Sequence, residues 1–242
     1  MAKIHVVLKK EDIKEEKVAG NIAIVLDVLL ATSTITACLH HGARGVLPVI
    51  NGEKALELKA NHPDDPLLVG EYEGKTIDGF LLPTPLSLKE AVKDKMVILS
   101  TTNGTVAIHR ALTAKKTYIA SLLNGEAVCE LVKKEHSKES IIIICSGSSG
   151  EFNLEDFYGA GYLLDLLQEG NWELTDAARA ALLFYQAYRS QSNTILKSSH
   201  VGQVLECYGY VEELTFVSEK GTLPVVPYVN EEQIVVLKEE IK

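Results

Sequence analysis

Paired cysteines, basic clusters and long apolar runs are all missing from this 242-residue chain. Its four cysteines, Cys38, Cys129, Cys145 and Cys207, lie far apart, with no C-x-x-C and no paired Cys/His ligands. That spacing indicates neither a disulfide framework nor a zinc site. Cys38, Cys129 and Cys207 stand among apolar neighbours at helical spacing and read as small buried hydrophobes. No Lys/Arg cluster accompanies the formal charge of −9, so no nucleic-acid partner is expected. No apolar run approaches the length of a membrane span, and the chain turns to charge by Lys9 without the apolar core of an export signal. The expectation is a cytoplasmic protein without membrane contact. Any anion it handles must be held against the protein's own negative field by a metal ion, helix termini or a few placed cations.

What is present is ordinary in amount, 46% hydrophobic and 24% charged, and informative in its order. Apolar runs at residues 3–8, 21–28, 44–50, 66–69, 96–99, 117–122 and 140–145 read as strands. Helical spacing follows most of them, at Ile35, Cys38 and Leu39, at residues 53–60 and 86–92, after Gly104, after Asn124 and over 154–167. Residues 177–188 and 198–205 predict two further helices, and 223–228, broken by prolines, predicts a final edge strand. Residues 71–85 form a long Gly- and Pro-containing stretch without periodicity, the kind of loop that carries function. Strands alternate with helices from Asn21 to Gln168, which predicts one α/β domain over residues 1–242 with a largely parallel or mixed central sheet.

Ligands of such folds bind outside the carboxyl ends of the strands. Four predicted strand ends carry polar clusters: Asp27 with Thr32, Ser33 and Thr34; Glu71; Thr101, Thr102, Asn103, Gly104 and Thr105; and Ser146 and Gly147 followed by Glu155 and Asp156. Helix capping alone requires fewer. Familiar motifs fail on inspection. Asp27 lacks the second Asp of a haloacid dehalogenase, and Cys145 lacks the arginine of a tyrosine-phosphatase loop, since position 151 is Glu. There is no Walker A lysine and no G-x-S-x-G elbow.

Taken together, the blocks Val25-Leu26-Asp27-Val28-Leu29 with Ala31-Thr32-Ser33-Thr34, residues 100–105, Cys145-Ser146-Gly147, Glu155-Asp156, Gly159-Ala160-Gly161 and Val225-Val226-Pro227 resemble the 2-phosphosulfolactate phosphatase family. That resemblance implies a three-layer α/β/α fold. It also implies a magnesium-dependent phosphomonoesterase acting on a small sulfonated hydroxy acid, placed in coenzyme M biosynthesis. Three positions depart from the family's pattern. Leu30 stands where an arginine usually precedes Ala-Thr-Ser-Thr, Gly70-Glu71-Tyr72-Glu73-Gly74 replaces G-E-R-G-G, and Leu82-Pro83-Thr84-Pro85 replaces G-N-S-P. Two arginines suited to gripping phosphate or sulfonate are thereby lost.

The chemistry needs charge neutralisation, a positioned water and help for the leaving alkoxide. Asp27, Glu71, Glu155 and Asp156 are the candidate magnesium ligands, with Asp27, Asn103 and Glu155 as candidate catalytic groups. Thr32, Ser33, Thr34, Thr101, Thr102, Gly104, Thr105, Ser146 and Gly147 are the candidate phosphate contacts. Structural alternatives stand beside them: Asp27 as a helix cap, Glu71 as a solvated loop residue, Glu155 as a dipole partner, and Asp156 completing a capping box with Asn153. The expected partner is a small phosphorylated or sulfonated metabolite, and a homodimer is the default for an enzyme of this size. The rival functions are a catalytically weak sensor of such a metabolite and a purely structural protein.

Overall fold

In the computed structural model, residues 2–231 and 233–236 are described. Strand β1 (Lys3–Val7) leads through a tight turn at Lys10–Asp12 and the short α1 (Glu15–Val18) into β2 (Ile22–Leu26) and α2 (Ala31–His40). Next come β3 (Gly45–Val49), α3 (Gly52–Asn61), β4 (Leu67–Tyr72), the short β5 (Lys75–Thr76) and one-turn α4 (Pro85–Leu88). The alternation continues with β6 (Met96–Ser100), α5 (Gly104–Arg110), β7 (Lys116–Ala120), α6 (Gly125–Glu135), β8 (Ile141–Cys145) and α7 (Leu154–Leu167). The remainder is β9 (Glu173–Leu174), α8 (Asp176–Ala187), α9 (Ser192–Ser198), α10 (His200–Cys207), α11 (Val211–Val217) and the hairpin β10 (Pro227–Asn230) and β11 (Gln233–Val236).

All described strands join one mixed sheet in the order β5-β4-β6-β3-β11-β10-β7-β2-β8-β1-β9. Strands β2, β6 and β8 are five-residue runs, nearly all apolar, and every residue in them is buried, as central parallel strands require. Their side chains still alternate. Ala23, Val25, Val97, Leu99, Ile142 and Ile144 face α2 and α5, whereas Ile22, Ile24, Leu26, Ile141 and Ile143 face the layer of α6, α7 and α8. Ile98 and Leu68 meet Ala55 of α3 on that outer side. Helices thus cover both faces, giving the three-layer α/β/α arrangement.

The carboxy-terminal hairpin corrects one expectation. Rather than forming an edge, β10 and β11 sit in the middle, pairing Tyr228 with Tyr118 of β7 and Ile234 with Val46 of β3. Pro227 opens β10, where a missing N–H is tolerated, so proline there did not mark an edge. Three antiparallel pairings in succession make the two parallel halves run in opposite senses. Sheet twist, roughly 20–25° per neighbouring pair, accumulates to on the order of 100° over the pairings between β2 and β6. The end of β6 lies near the end of β2, since α5 packs on both β2 and β3 and Gly104 stands against Asp27 and Ala31. A second correction concerns Cys207, which is exposed, while Cys38 and Cys129 are buried as expected. Among the described residues no helix is long and apolar enough to cross a membrane.

Candidate active site

The chain leaves β2 at Asp27, whose side chain is buried. The next residues fold back tightly: the Thr32 backbone N–H and hydroxyl both donate to the Asp27 carbonyl, at 3.0 and 2.9 Å. Burial, then the charges of Glu71 and Glu155, push the Asp27 carboxyl up from 3.8 to about 7. The Ala31 amide and Lys10 pull in the other direction. Gly104, the first residue of α5, lies against this carboxylate, where an added Cβ would stand 2.6 Å from Asp27 Oδ2 and also collide with Ala31. Glycine here is a requirement of space. Gly104→Ala is expected to lower phosphate release by at least about tenfold and cost about 2 kcal/mol of stability, read by kinetics and urea unfolding.

Two more carboxylates are buried behind Asp27. Asp156 Oδ1 accepts the Val28 amide at 2.8 Å, and Oδ2 accepts those of Ser146 and Gly147 at 3.1 and 3.2 Å. Asp156 thereby ties the end of β2 to the end of β8. Asn153 makes no capping bond, so the expected capping box is not formed. Burial and the charges of Asp27 and Glu155 push the Asp156 carboxyl upward, against the Val28 and Gly147 amides. Glu155 is 1% exposed, and neither of its carboxylate oxygens has a well-formed hydrogen bond, although its own amide and the Ser199 hydroxyl lie near enough to oppose the effect of burial. Burial raises its pKa as well. Three desolvated acids close together are unfavourable without a counter-charge.

The end of β6 supplies the opposing wall. The Thr101 hydroxyl accepts the Thr105 amide at 3.2 Å, while the Thr105 hydroxyl donates to the Thr101 carbonyl at 2.8 Å. Glu71 Oε1 accepts the Thr102 amide at 2.7 Å, and Oε2 accepts the Thr102 hydroxyl at 3.0 Å and the Gly74 amide at 2.8 Å. Asn103 Oδ1 accepts the Lys10 ammonium at 2.8 Å. Lys10 is 9% exposed and also pairs with Glu11 at 2.9 Å.

These positions open on a cleft of about 730 Å³. Asp27, Glu71, Thr101, Thr102 and Asn103 line it. Thr32, Ser33 and Thr34 do not: they are fully buried, and their hydroxyls donate to the carbonyls of Asp27, Val28 and Pro83. Ser146 behaves likewise, donating to the Leu26 carbonyl at 2.8 Å, and Gly147 holds a left-handed φ of 65° beside Asp156. Together with Thr105, whose buried hydroxyl is likewise turned to a backbone carbonyl, these residues shape the site from behind the cleft wall.

Sequence reasoning missed Lys10 and the wall supplied by α10. Lys10 sits in a charged run that reads as solvated. It is buried because its N–H donates to the Ser146 carbonyl at 3.0 Å and its own carbonyl accepts Arg110 at 2.5 Å. Arg110 thus buttresses the site indirectly, whereas Arg44 pairs with Asp64 on the surface.

The sequence has relatives among known proteins. The sequence profile of 2-phosphosulpholactate phosphatase matches residues 7–232. A probable 2-phosphosulfolactate phosphatase of Clostridium acetobutylicum is 36% identical over 235 residues, covering 95% of this chain and 99% of its own length. Proteins of the same name from Clostridium perfringens and Symbiobacterium thermophilum are 38% and 37% identical, over 93% and 92% of this chain and 92% and 97% of theirs. With Asp27 and the Thr-Thr-Asn turn lining one cleft and the Glu155-Asp156 pair buried behind it, the chain belongs to the 2-phosphosulpholactate phosphatase family.

Proposed function

We propose that this protein hydrolyses a small anionic phosphomonoester at the Asp27 end of the cleft, in a magnesium-dependent reaction. The relatives' name points to 2-phosphosulfolactate as the first compound to try. The observation that carries the reading is the pair Asp27 and Glu155: two buried carboxylates, one of them without a well-formed hydrogen bond, beside a hydroxyl-rich strand end. Among the described residues no three His, Cys, Asp or Glu side chains gather as a ready ligand cage. Magnesium does not need one, because it is commonly held by one or two carboxylates, substrate phosphate and water. The donor set is oxygen only, so Asp27 and Glu155 fit as its holders, while Glu71 and Asp156 act through their backbone ties. When bound, magnesium supplies charge neutralisation at the phosphoryl oxygens.

The protein's own groups do the rest. The Thr101 hydroxyl and the Asn103 amide orient the phosphate, and Lys10 fixes the Asn103 rotamer and adds positive charge behind it. Asp27 is the buried carboxylate that lines the cleft, so it takes the proton of the attacking water. As the new P–O bond forms, the bond to the substrate oxygen breaks, and the proton passes to the departing alkoxide. Lys10→Met is expected to reduce kcat/KM about tenfold and to move the acid limb of the pH profile upward, since Lys10 holds the Asp27 carboxyl down. An unmoved acid limb would reduce Lys10 to scaffold.

The direct test is phosphate release from 2-phosphosulfolactate, 2-phospholactate and other small phosphomonoesters, with magnesium and with chelator. Release in magnesium alone supports the reading. Equal release in chelator removes the metal, and binding without release identifies a sensor.

A further inference from the structure

The cleft continues well past the phosphate end. Its outer wall is α10, and Val201, Val204, Leu205 and Tyr208 all line the cleft. Their spacing puts them on one stripe of the helix, the arrangement that ordinarily packs a helix onto a core. Here Val201 and Leu205 pack partly against the core, and the same stripe also borders an open cleft. Val204 remains 36% exposed and Tyr208 64% exposed. Leu29, Leu30 and Leu82 line the same cleft from the ends of other elements.

The wall is fixed in place. Ser199 caps α10 by accepting the Gly202 amide at 3.0 Å, and Gly202 lies so close to the Leu196 carbonyl that no side chain fits there. The helix is therefore held against α9 and is not a free flap. Charge in the cleft argues in the same direction. Among the described lining residues the side chains able to carry positive charge are Lys75 and His200, against Asp27, Glu71 and Glu73. Hydroxyls and an amide of Thr76, Ser148, Ser149 and Asn153 also line the cleft, while on the side of α10 and the Leu29–Leu30 turn an apolar group finds seven apolar side chains. The volume of about 730 Å³ also falls within the roughly 300–1,000 Å³ of pockets that enclose drug-sized ligands.

Resting on the phosphomonoesterase reading, we infer that the preferred substrate is a phosphomonoester carrying an aryl or branched alkyl substituent, which lies in the outer chamber between α10 and the Leu29–Leu30 turn. The phosphate sits at Asp27 and Asn103, and the apolar remainder covers Val204 and Tyr208. Leu30 and Val204 are then specificity-determining residues, with no part in the chemistry.

The test is a series with one phosphorylated head and a growing side chain: 2-phospholactate, 2-phospho-4-methylpentanoate and 2-phospho-3-phenylpropanoate, with 2-phosphosulfolactate as the polar comparator. The expected kcat/KM for the phenyl compound exceeds that for 2-phospholactate by at least about tenfold, or 1.4 kcal/mol. Val204→Ser with Tyr208→Ser, at exposed positions that leave the core intact, lowers kcat/KM for the phenyl compound by at least about tenfold more than for 2-phospholactate and so removes that advantage. A preference for 2-phosphosulfolactate, or equal rates along the apolar series, overturns the inference while leaving the phosphatase intact. If none of the compounds is hydrolysed, the catalytic reading fails, and thermal shifts with the matching phosphonates decide the chamber. A larger shift with benzylphosphonate than with methylphosphonate, lost in the double variant, supports it; equal shifts overturn it.

Discussion

Asp27→Asn is expected to slow magnesium-dependent phosphate release by about 10²–10⁴-fold and, in chelator above pH 7, to melt at a higher temperature than the wild type. The two effects have one cause. The Asp27 carboxyl rises from 3.8 to about 7 because it is buried and faces Glu71 and Glu155. Between these values the folded state holds a proton that the unfolded state has released, so stability falls as pH rises. The slope is about 1.4 kcal/mol per pH unit, and over the window the loss is on the order of 4 kcal/mol. Asparagine carries no charge and is exempt from it. Glu155 and Asp156 are raised as well and act with the same sign, so the informative quantity is the difference between variant and wild type. Magnesium favours the ionised carboxylate, and its stabilising effect on the wild type should therefore be larger at pH 8 than at pH 5 and nearly absent in the variant. Calorimetry across that range, beside a phosphate-release assay, reads both. Full activity in Asp27→Asn, or parallel melting profiles for the two proteins, would remove Asp27 from the centre of the site.

The parts of this site that were legible in the sequence share one property: they follow from chain order. Apolar runs such as Ile22–Leu26 and Ile141–Cys145 declare buried strands, and the polar residues that end them must lie along the carboxyl edge of a parallel sheet. What chain order does not carry is direction. Thr32, Ser33 and Thr34 have the hydroxyls a phosphate site needs, yet all three turn theirs to backbone carbonyls. The donor inventory is written in the sequence, and the rotamer that uses it is not. Lys10 was hidden for a related reason, since its burial depends on contacts with Ser146, Asn103 and Arg110 from distant segments. The central hairpin was obscured by prolines that lie before or at the first paired residue of β10. Leu30 shows the reverse case. Its departure from the family's arginine is visible in the sequence, and only the cleft gives the change a meaning, as part of an apolar wall.

Asp156 offers the largest expected loss of stability. Its carboxylate accepts three buried backbone amides, from Val28, Ser146 and Gly147. Asp156→Ala leaves the Val28 and Gly147 amides without a partner, at about 1–3 kcal/mol each before relaxation, while the Ser146 amide keeps its bond to the Leu26 carbonyl at 2.9 Å. Removing a buried acid beside Asp27 and Glu155 offsets part of this, and a net loss of about 3 kcal/mol is expected near pH 6. Asp156→Asn keeps one acceptor and turns an N–H towards the amides the other oxygen served, so it should fall between alanine and wild type, at about 2 kcal/mol. Urea unfolding with an unchanged slope measures both. The sign of the pH dependence is also fixed. The Asp156 carboxyl is raised in the folded protein, so wild-type stability falls with rising pH while the variants escape that loss, and the gap between them narrows towards pH 8. A direct metal ligand would behave otherwise. Asp156→Asn would then retain its stability in chelator and lose the magnesium response, which would return Asp156 to the ligand set proposed for Asp27 and Glu155.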